Sequence, residues 1–192
     1  MNGWIRQQCV VFAASFFVLA ALAAAEEAQW IWSPENTKDR VPVGETCHFR
    51  KAMTLRAPEA GQIAIAADDQ YELYINGRRI GAGEATKKLD EYDITRYLMR
   101  GANLVAIKVQ NRSGNTAALA ARVTIKDRGE WTSYSTDDSW RTALRPLPLW
   151  NTTIYNDRGW ATAQAFGALG ATAPWDRREN VPAEQTSRKR SA

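Results

Sequence analysis

His48 is the sole histidine in the chain, and Cys47 stands directly before it. A thiolate–imidazole pair is the first chemistry such neighbours suggest. The flanking residues alternate apolar and polar, however, and successive side chains of a strand point to opposite faces. Zinc needs about four Cys, His or carboxylate ligands, and beyond the apolar N-terminal run the chain offers one cysteine and one histidine. The remaining enzymatic option is paired carboxylates, since glycoside hydrolysis uses two of them about 5 to 9.5 Å apart. Asp68/Asp69 and Asp137/Asp138 are adjacent pairs, but both fall where a strand gives way to a turn, and aspartate is a good turn former. The inventory predicts a chain that does no catalysis by itself.

Holding a sugar asks for less: a few oriented hydrogen-bonding groups and an aromatic face for the apolar side of the ring. Asp68, Asp69, Asn111, Arg112 and Asn115, with Tyr71 beside them, are the predicted ligand-binding residues. Asn36 and Asp39 could join them from a neighbouring loop. Trp30 and Trp32 lie two apart and share a strand face, and large aromatics on alternating strands are expected in the core. Calcium takes six to eight oxygens from carboxylates and carbonyls. Asp68 and Asp69 with loop carbonyls could begin such a site, although no EF-hand spacing is present.

These residues must be positioned by strands. Cys47 to Leu55 alternates, with Cys47, Phe49, Met53 and Leu55 on one face, and Ala57 to Gly61 is expected to form the turn that follows, Pro58 suiting it. Gln62 to Ala67 places Ile63, Ile65 and Ala67 on one side. Tyr71 to Ile75 runs into Asn76-Gly77, a strong signal for a type I′ hairpin, and Arg78 to Ile80 returns. Gly81 and Gly83 are expected to release the chain into a loop, and Asp93 to cap a single helical turn ending at Leu98. Leu104 to Val109 is apolar on nearly both faces and predicts a central strand. After the polar loop 111–115, Ala117 to Ile125 returns with Ala121, Val123 and Ile125 inward, and Trp131 to Ser135 forms a further strand. Many short strands at close spacing predict an all-β antiparallel sandwich over about residues 29 to 175. In the last third, Asp137-x-x-Trp140-x-Thr142-Ala143 recurs as Asp157-x-x-Trp160-x-Thr162-Ala163. Two copies are too few for a solenoid, and they are expected to be turns that each pin a tryptophan on the sandwich.

Arg6 precedes an apolar run from Cys9 to Leu22, and Ala23-Ala24-Ala25 closes it as a small-residue cleavage site. This predicts a signal peptide over 1–25 and export to the medium or periplasm, because the run is shorter than the roughly 20 residues of a membrane span. No membrane partner is expected after cleavage. One domain follows over 26–175, without an intrachain disulfide because Cys47 would be its only cysteine. From Asp176 the composition turns charged and apolar-poor, which predicts a disordered basic tail over 176–192. Most of the formal charge of +4 lies outside the body, on Arg6 and on the tail, which holds five basic residues against three acidic ones. A near-neutral body argues against nucleic acid, which normally meets a basic face.

The run Ala66-Ala67-Asp68-Asp69-Gln70-Tyr71-Glu72-Leu73-Tyr74-Ile75-Asn76-Gly77-Arg78-Arg79-Ile80-Gly81 has a companion in Tyr92-Asp93-Ile94-Thr95-x-Tyr97-Leu98-x-x-Gly101-x-Asn103-x-Val105-Ala106-Ile107. Together with Trp30-Ile31-Trp32 and Asp138-Ser139-Trp140, they resemble the accessory jelly-roll domains of bacterial α-L-rhamnosidases and β-galactosidase-type glycoside hydrolases. The resemblance implies a galactose-binding-like jelly roll that in some relatives binds sugar, often beside a bound calcium. It further implies plant or cell-wall polysaccharide as the ligand class and a catalytic domain or protein as a partner. Relatives usually continue into a large catalytic domain, so this chain reads either as a free-standing module or as a piece of a longer gene. Since a fold does not fix a function, the alternative is a sandwich that only packs on a partner.

Overall fold

The computed structural model describes residues 27–84 and 89–175. The expected signal peptide, its cleavage site and the basic tail lie outside the described residues. Among the described residues there are twelve strands, joined by turns and by longer loops over 33–45 and 144–160: β1 (Gln29–Trp32), β2 (Thr46–Leu55), β3 (Pro58–Asp68), β4 (Gln70–Ile75), β5 (Arg78–Gly83), β6 (Asp90–Asp93), β7 (Gly101–Gln110), β8 (Ala118–Asp127), β9 (Glu130–Ser135), β10 (Arg141–Ala143), β11 (Ala161–Thr162) and β12 (Gln164–Ala168). One 3-10 turn, Thr95–Tyr97, interrupts them.

Two six-stranded antiparallel sheets form the sandwich. The first runs β12-β1-β8-β3-β6, with β9 also paired to β8; the second runs β11-β10-β2-β7-β4-β5. The inward residues are those the alternation marks: Phe49, Leu73, Ile75, Val105, Ile107 and Val109 from the second sheet meet Ile31, Ile63, Ile65, Leu119, Val123 and Ile125 from the first. β7 lies between β2 and β4, so Leu104 to Ile107 are buried on both faces, as their composition predicts. Cys47 is fully buried while His48 faces the other side of β2, and burial raises the thiol pKa well above its ordinary value. That leaves no dyad.

Asn76 and Gly77 both adopt positive φ, 52° and 84°, as a type I′ turn requires. Asp93 ends β6 and accepts the N–H of Thr95 at 2.9 Å, but it is not the expected cap: the 3-10 turn has Ile94 at its N-cap, with no side-chain capping bond. Two further turn expectations need correction. The turn after β2 is only Arg56-Ala57, because the Asp127 carboxylate accepts both their N–H groups; Pro58 then opens β3, where its missing N–H is tolerated at a strand start. Gly81 and Gly83 do not release a loop but stay in β5, paired with Leu73 and Tyr71. A side chain at Gly83 would meet the Asp90 carboxylate and the Tyr71 ring, so glycine there is a packing requirement.

The two Asp-x-x-Trp copies are turns, each closed by the Trp N–H to the Asp carbonyl. They also find each other: β10 follows the first and β11 the second, pairing Arg141 with Thr162 and Thr142 with Ala161. Trp140 is fully buried and donates from Nε1 to the Ser135 carbonyl at 2.9 Å. Trp160 is only half-buried and lies with Tyr155 over the Arg50 guanidinium. Buried Arg50 pins this segment across the second sheet, donating to Asp157 at 2.8 Å and to the carbonyls of Trp150, Thr152 and Tyr155.

Candidate functional site

β3 of the first sheet passes to β4 of the second through Asp68-Asp69, and β7 of the second passes to β8 of the first through residues 111–117. Because β3 pairs with β8 and β4 with β7, these two crossings stand side by side at one end of the sandwich. Asp68 is opposite Ala118, and Gln70 is opposite Gln110. The peptide between Asp68 and Asp69 is cis.

Asp69 Oδ2 accepts the backbone N–H groups of Arg112 and Ser113 at 2.6 and 2.8 Å, with the Ser113 hydroxyl at 3.4 Å. Arg112 Nη1 donates to Gln70 Oε1 at 3.2 Å. Asn111 is buried and holds the loop joining β1 to β2, donating from Nδ2 to the carbonyls of Val41 and Pro42. Asn115 Nδ2 donates to the Asp39 carbonyl at 3.1 Å, and Val41 N–H returns to the Asn115 carbonyl. Five predicted residues, Asp68, Asp69, Asn111, Arg112 and Asn115, therefore share one loop cluster.

Tyr71 does not line it. It is buried, and its hydroxyl donates to Asp90 Oδ2 at 2.6 Å with the Tyr92 hydroxyl 2.7 Å away. Burial and these partners push its pKa upward. Being on β4 with its side chain inward, it presents no face to a ligand. Trp30 and Trp32 are buried as well, but not on one face as expected: a register shift between Trp30 and Ile31 puts Trp32 in the core between the sheets and Trp30 in a cluster with Ala66, Ala120 and Trp175, and Trp32 Nε1 donates to Asn36 Oδ1.

One member of the cluster has no predictor in the sequence beyond being the last aromatic before the charged stretch. Trp175 donates from Nε1 to Asp68 Oδ2 at 2.8 Å, and Thr116 Oγ1 donates to the same oxygen at 3.2 Å. The Trp175 ring stacks on Trp30 with centroids 4.9 Å apart, and Lys38 Nζ lies over it at 5.6 Å. Burial, together with the neighbouring Asp69, pushes Asp68 up to about 6. For Asp69, burial works upward but hydrogen bonds from Asp68, Arg112 and Ser113 outweigh it and hold the carboxyl below its usual value. The pair thus sits as one protonatable and one ionised carboxyl in contact, the arrangement expected of two like charges forced together.

Such a pair is also what a divalent cation would neutralise. Two carboxylates are a start on six to eight oxygens, and among the described residues no group of three or more His, Cys, Asp or Glu could hold a metal. The balance of a calcium shell would have to come from carbonyls, water or a ligand's hydroxyls. The second pair, Asp137/Asp138, is a turn: Asp137 Oδ1 accepts the Ser139 N–H.

Residues 45–144, from the approach to β2 through β10, match the family described as glycosyl hydrolases family 2, sugar binding domain. The chain belongs to this family. The matched stretch of this family 2 sugar-binding domain contains both crossings of the loop cluster but not Trp175. A β-galactosidase of Kluyveromyces lactis is 36% identical over 64 residues, 33% of this chain and 6% of that protein. Among solved structures, the Pleurotus ostreatus lectin in its apo form matches 77% of this chain and 43% of its own, with 32% identity and a TM-score of 0.72. The same lectin in complex with GalNAc matches 79% and 46%, with 28% identity and a TM-score of 0.71. A Streptomyces avermitilis α-L-rhamnosidase complexed with L-rhamnose shares the fold over 77% of this chain and 15% of its own, at 23% identity and a TM-score of 0.69. This chain thus spans less than half of the lectin and a small part of the enzymes. The galactose-binding-like sandwich expected from the Ala66 to Gly81 run and its companion is found, and with it a likeness to a β-galactosidase in sequence and to a rhamnosidase in fold.

Proposed function

We propose that this chain is an exported, non-catalytic carbohydrate-binding module serving polysaccharide or glycoside degradation. It holds sugar at the loop end built from Asp68, Asp69, Arg112 and Asn115, with Asn111 fixing the loop from below. The observation that carries this is the meeting of two sheet crossings, in a domain of the sugar-binding family, at one polar end, in a fold shared with a lectin solved with GalNAc. Asn115 and the Arg112 guanidinium are exposed there and offer acceptors and donors to sugar hydroxyls. Few hydrogen bonds of about 0.5–1.5 kcal/mol each imply a Kd of roughly tens of micromolar to millimolar. Calcium is proposed as the companion ion at Asp68 and Asp69, supplying a fixed positive charge for sugar oxygens. The expected location is extracellular or periplasmic, and the expected partner a catalytic domain or protein. Titrating GalNAc, galactose, rhamnose and plant polysaccharides with and without calcium tests this, and silence from every ligand would defeat it.

The alternative, a sandwich that packs on a partner without touching sugar, is favoured by one surface. Leu147, Leu149 and Ile154 are 72, 61 and 83% exposed on the segment that Arg50 pins over the second sheet. If no sugar binds, this apolar surface is where a neighbouring domain would sit.

A further inference from the structure

The outer face of the first sheet carries a groove that the loop end does not share. Its walls follow from register. Asp93 on β6 is opposite Gln62 on β3, Gln62 is opposite Thr124 on β8, and Thr124 is opposite Ser133 on β9. One row along, Glu91, Ala64 and Arg122 are in line. Period-2 alternation puts all of these on the face opposite Ile63, Val123 and Ile125, and the approach of the Thr124 and Ser133 hydroxyls to 3.4 Å confirms it. The small Ala64 leaves the centre low, and the groove encloses about 330 Å³, within the range of small-molecule sites.

Asp93 and Thr124 have partners here, at the Thr95 N–H and the Ser133 hydroxyl, but three other polar side chains of the groove are uncommitted. The side chains of Gln62, Glu91 and Arg122 make no hydrogen bond or ion pair among the described residues, whereas Asp68, Asp69, Asn111 and the Asn115 amide nitrogen are spent on neighbouring segments. On the next row, Trp131 is opposite Lys126 and 59% exposed. The three rows together cover about 13 Å along the strands, at about 3.3 Å per residue. At its upper end the same face is closed by Trp30, Ala66, Ala120 and Trp175, which pack on one another.

We infer that this face is a second ligand site, a groove for an extended neutral oligosaccharide whose rings lie along β3 and β8 and end against Trp131. It rests on the carbohydrate-binding reading above but not on the loop-end residues. Amide, guanidinium and carboxylate groups facing one another at strand spacing suit vicinal hydroxyls, and an exposed indole suits the apolar face of a pyranose. Charge selects the class. Two carboxylates, Glu91 and Asp93, outnumber one guanidinium, Arg122, and Lys126 on the third row is neutralised by Glu59 at 2.8 Å, so a polyuronate would be repelled.

The test is calorimetry with cellohexaose, xylohexaose, mannohexaose, GalNAc and trigalacturonate on the wild-type protein and on Arg122→Ala, Trp131→Ala and Arg112→Ala. Backbone amide shifts locate each ligand, and both face residues are exposed, so folding is not at stake. The expected result is a hexaose that binds with shifts on β3, β8 and β9, weakened at least tenfold by Arg122→Ala or Trp131→Ala and unchanged by Arg112→Ala. GalNAc should show the reverse dependence. A hexaose that binds at residues 111–115 and ignores the face variants would overturn this site and leave the loop-end reading intact. Hexaose binding on the face with no GalNAc response would do the opposite. No binding of any sugar defeats both, and preference for trigalacturonate defeats the neutral class.

Discussion

Replacing Asp69 with Ala removes one carboxylate oxygen that accepts two backbone N–H groups and a hydroxyl from Arg112 and Ser113. Hydrogen bonds to a charged acceptor contribute about 1.5–3 kcal/mol each when buried. Arg112 and Ser113 are exposed, so water replaces much of what is lost, and the net cost should be about 2 kcal/mol in total. For a domain of this size that lowers Tm by about 4–8 °C, at roughly 2–4 °C per kcal/mol. Asp69→Asn keeps one acceptor oxygen and should lose less than half as much. Thermal melts followed by circular dichroism give the cost, and hydrogen exchange at Arg112 and Ser113 shows whether the loop has come loose. A Tm within 1 °C of wild type with exchange unchanged would refute the clamp. A turn aspartate that ties down the ligand loop cannot separate structure from binding, since Asp69→Ala alters both. Arg112→Ala can, because its backbone N–H, the group Asp69 holds, survives the change.

Arg50→Ala should cost about 3 kcal/mol, the range for breaking a buried pair from one side, since it strands Asp157 and three carbonyls; faster tryptic cleavage at Arg145 and Arg158 alongside a lower Tm would bear this out. Trp175→Phe keeps the stack on Trp30 but removes the donor to Asp68, and a loss of about 1 kcal/mol in denaturant melts is expected. His48, lowered to about 4 chiefly by burial, stays neutral in the fold while the unfolded chain protonates below about 6.5. It therefore contributes stability above that pH which is lost as pH falls toward 4, by up to about 3 kcal/mol. Asp68, raised to about 6, works in the opposite direction over nearly the same window, so the quantity to measure is the difference between wild type and His48→Gln. That difference should move against wild type between pH 6.5 and 4, and a flat difference would contradict it.

The long strands were legible because each buries one face. Cys47 to Leu55, Gln62 to Ala67 and Ala117 to Ile125 carry period-2 alternation, and Leu104 to Val109 betrays its central place by lacking it. Strands too short or too polar to alternate were not legible: Asp90–Asp93 reads as acidic loop, and Arg141–Ala143 and Ala161–Thr162 are recognisable only through the Asp-x-x-Trp repeat that precedes each. Pro58 and the glycines at 81 and 83 look like punctuation locally, and only the Asp127 carboxylate, the Tyr92 ring over Gly81 and the Tyr71–Asp90 contact at Gly83 show why they sit inside strands. The meeting of Asp68-Asp69 with residues 111–115 could be foreseen from consecutive strands crossing between sheets. That Asn111 is buried, that Tyr71 turns inward and that Trp175 returns to Asp68 depends on contacts across 19 to 107 positions of sequence, which no local pattern encodes. The groove on the first sheet is invisible for the same reason, since its rows are assembled from four strands by register alone.

The most direct measurement is a titration of the isotope-labelled protein with GalNAc, followed at every backbone amide. Saturable shifts at Asp69 and at Arg112 to Asn115, with a Kd between roughly tens of micromolar and 1 mM, are the predicted result, and Arg112→Ala should abolish them without moving Tm by more than about 1 °C. No shift at those amides with sugar at about ten times the upper Kd, with calcium present or absent, would contradict sugar binding at this end of the domain.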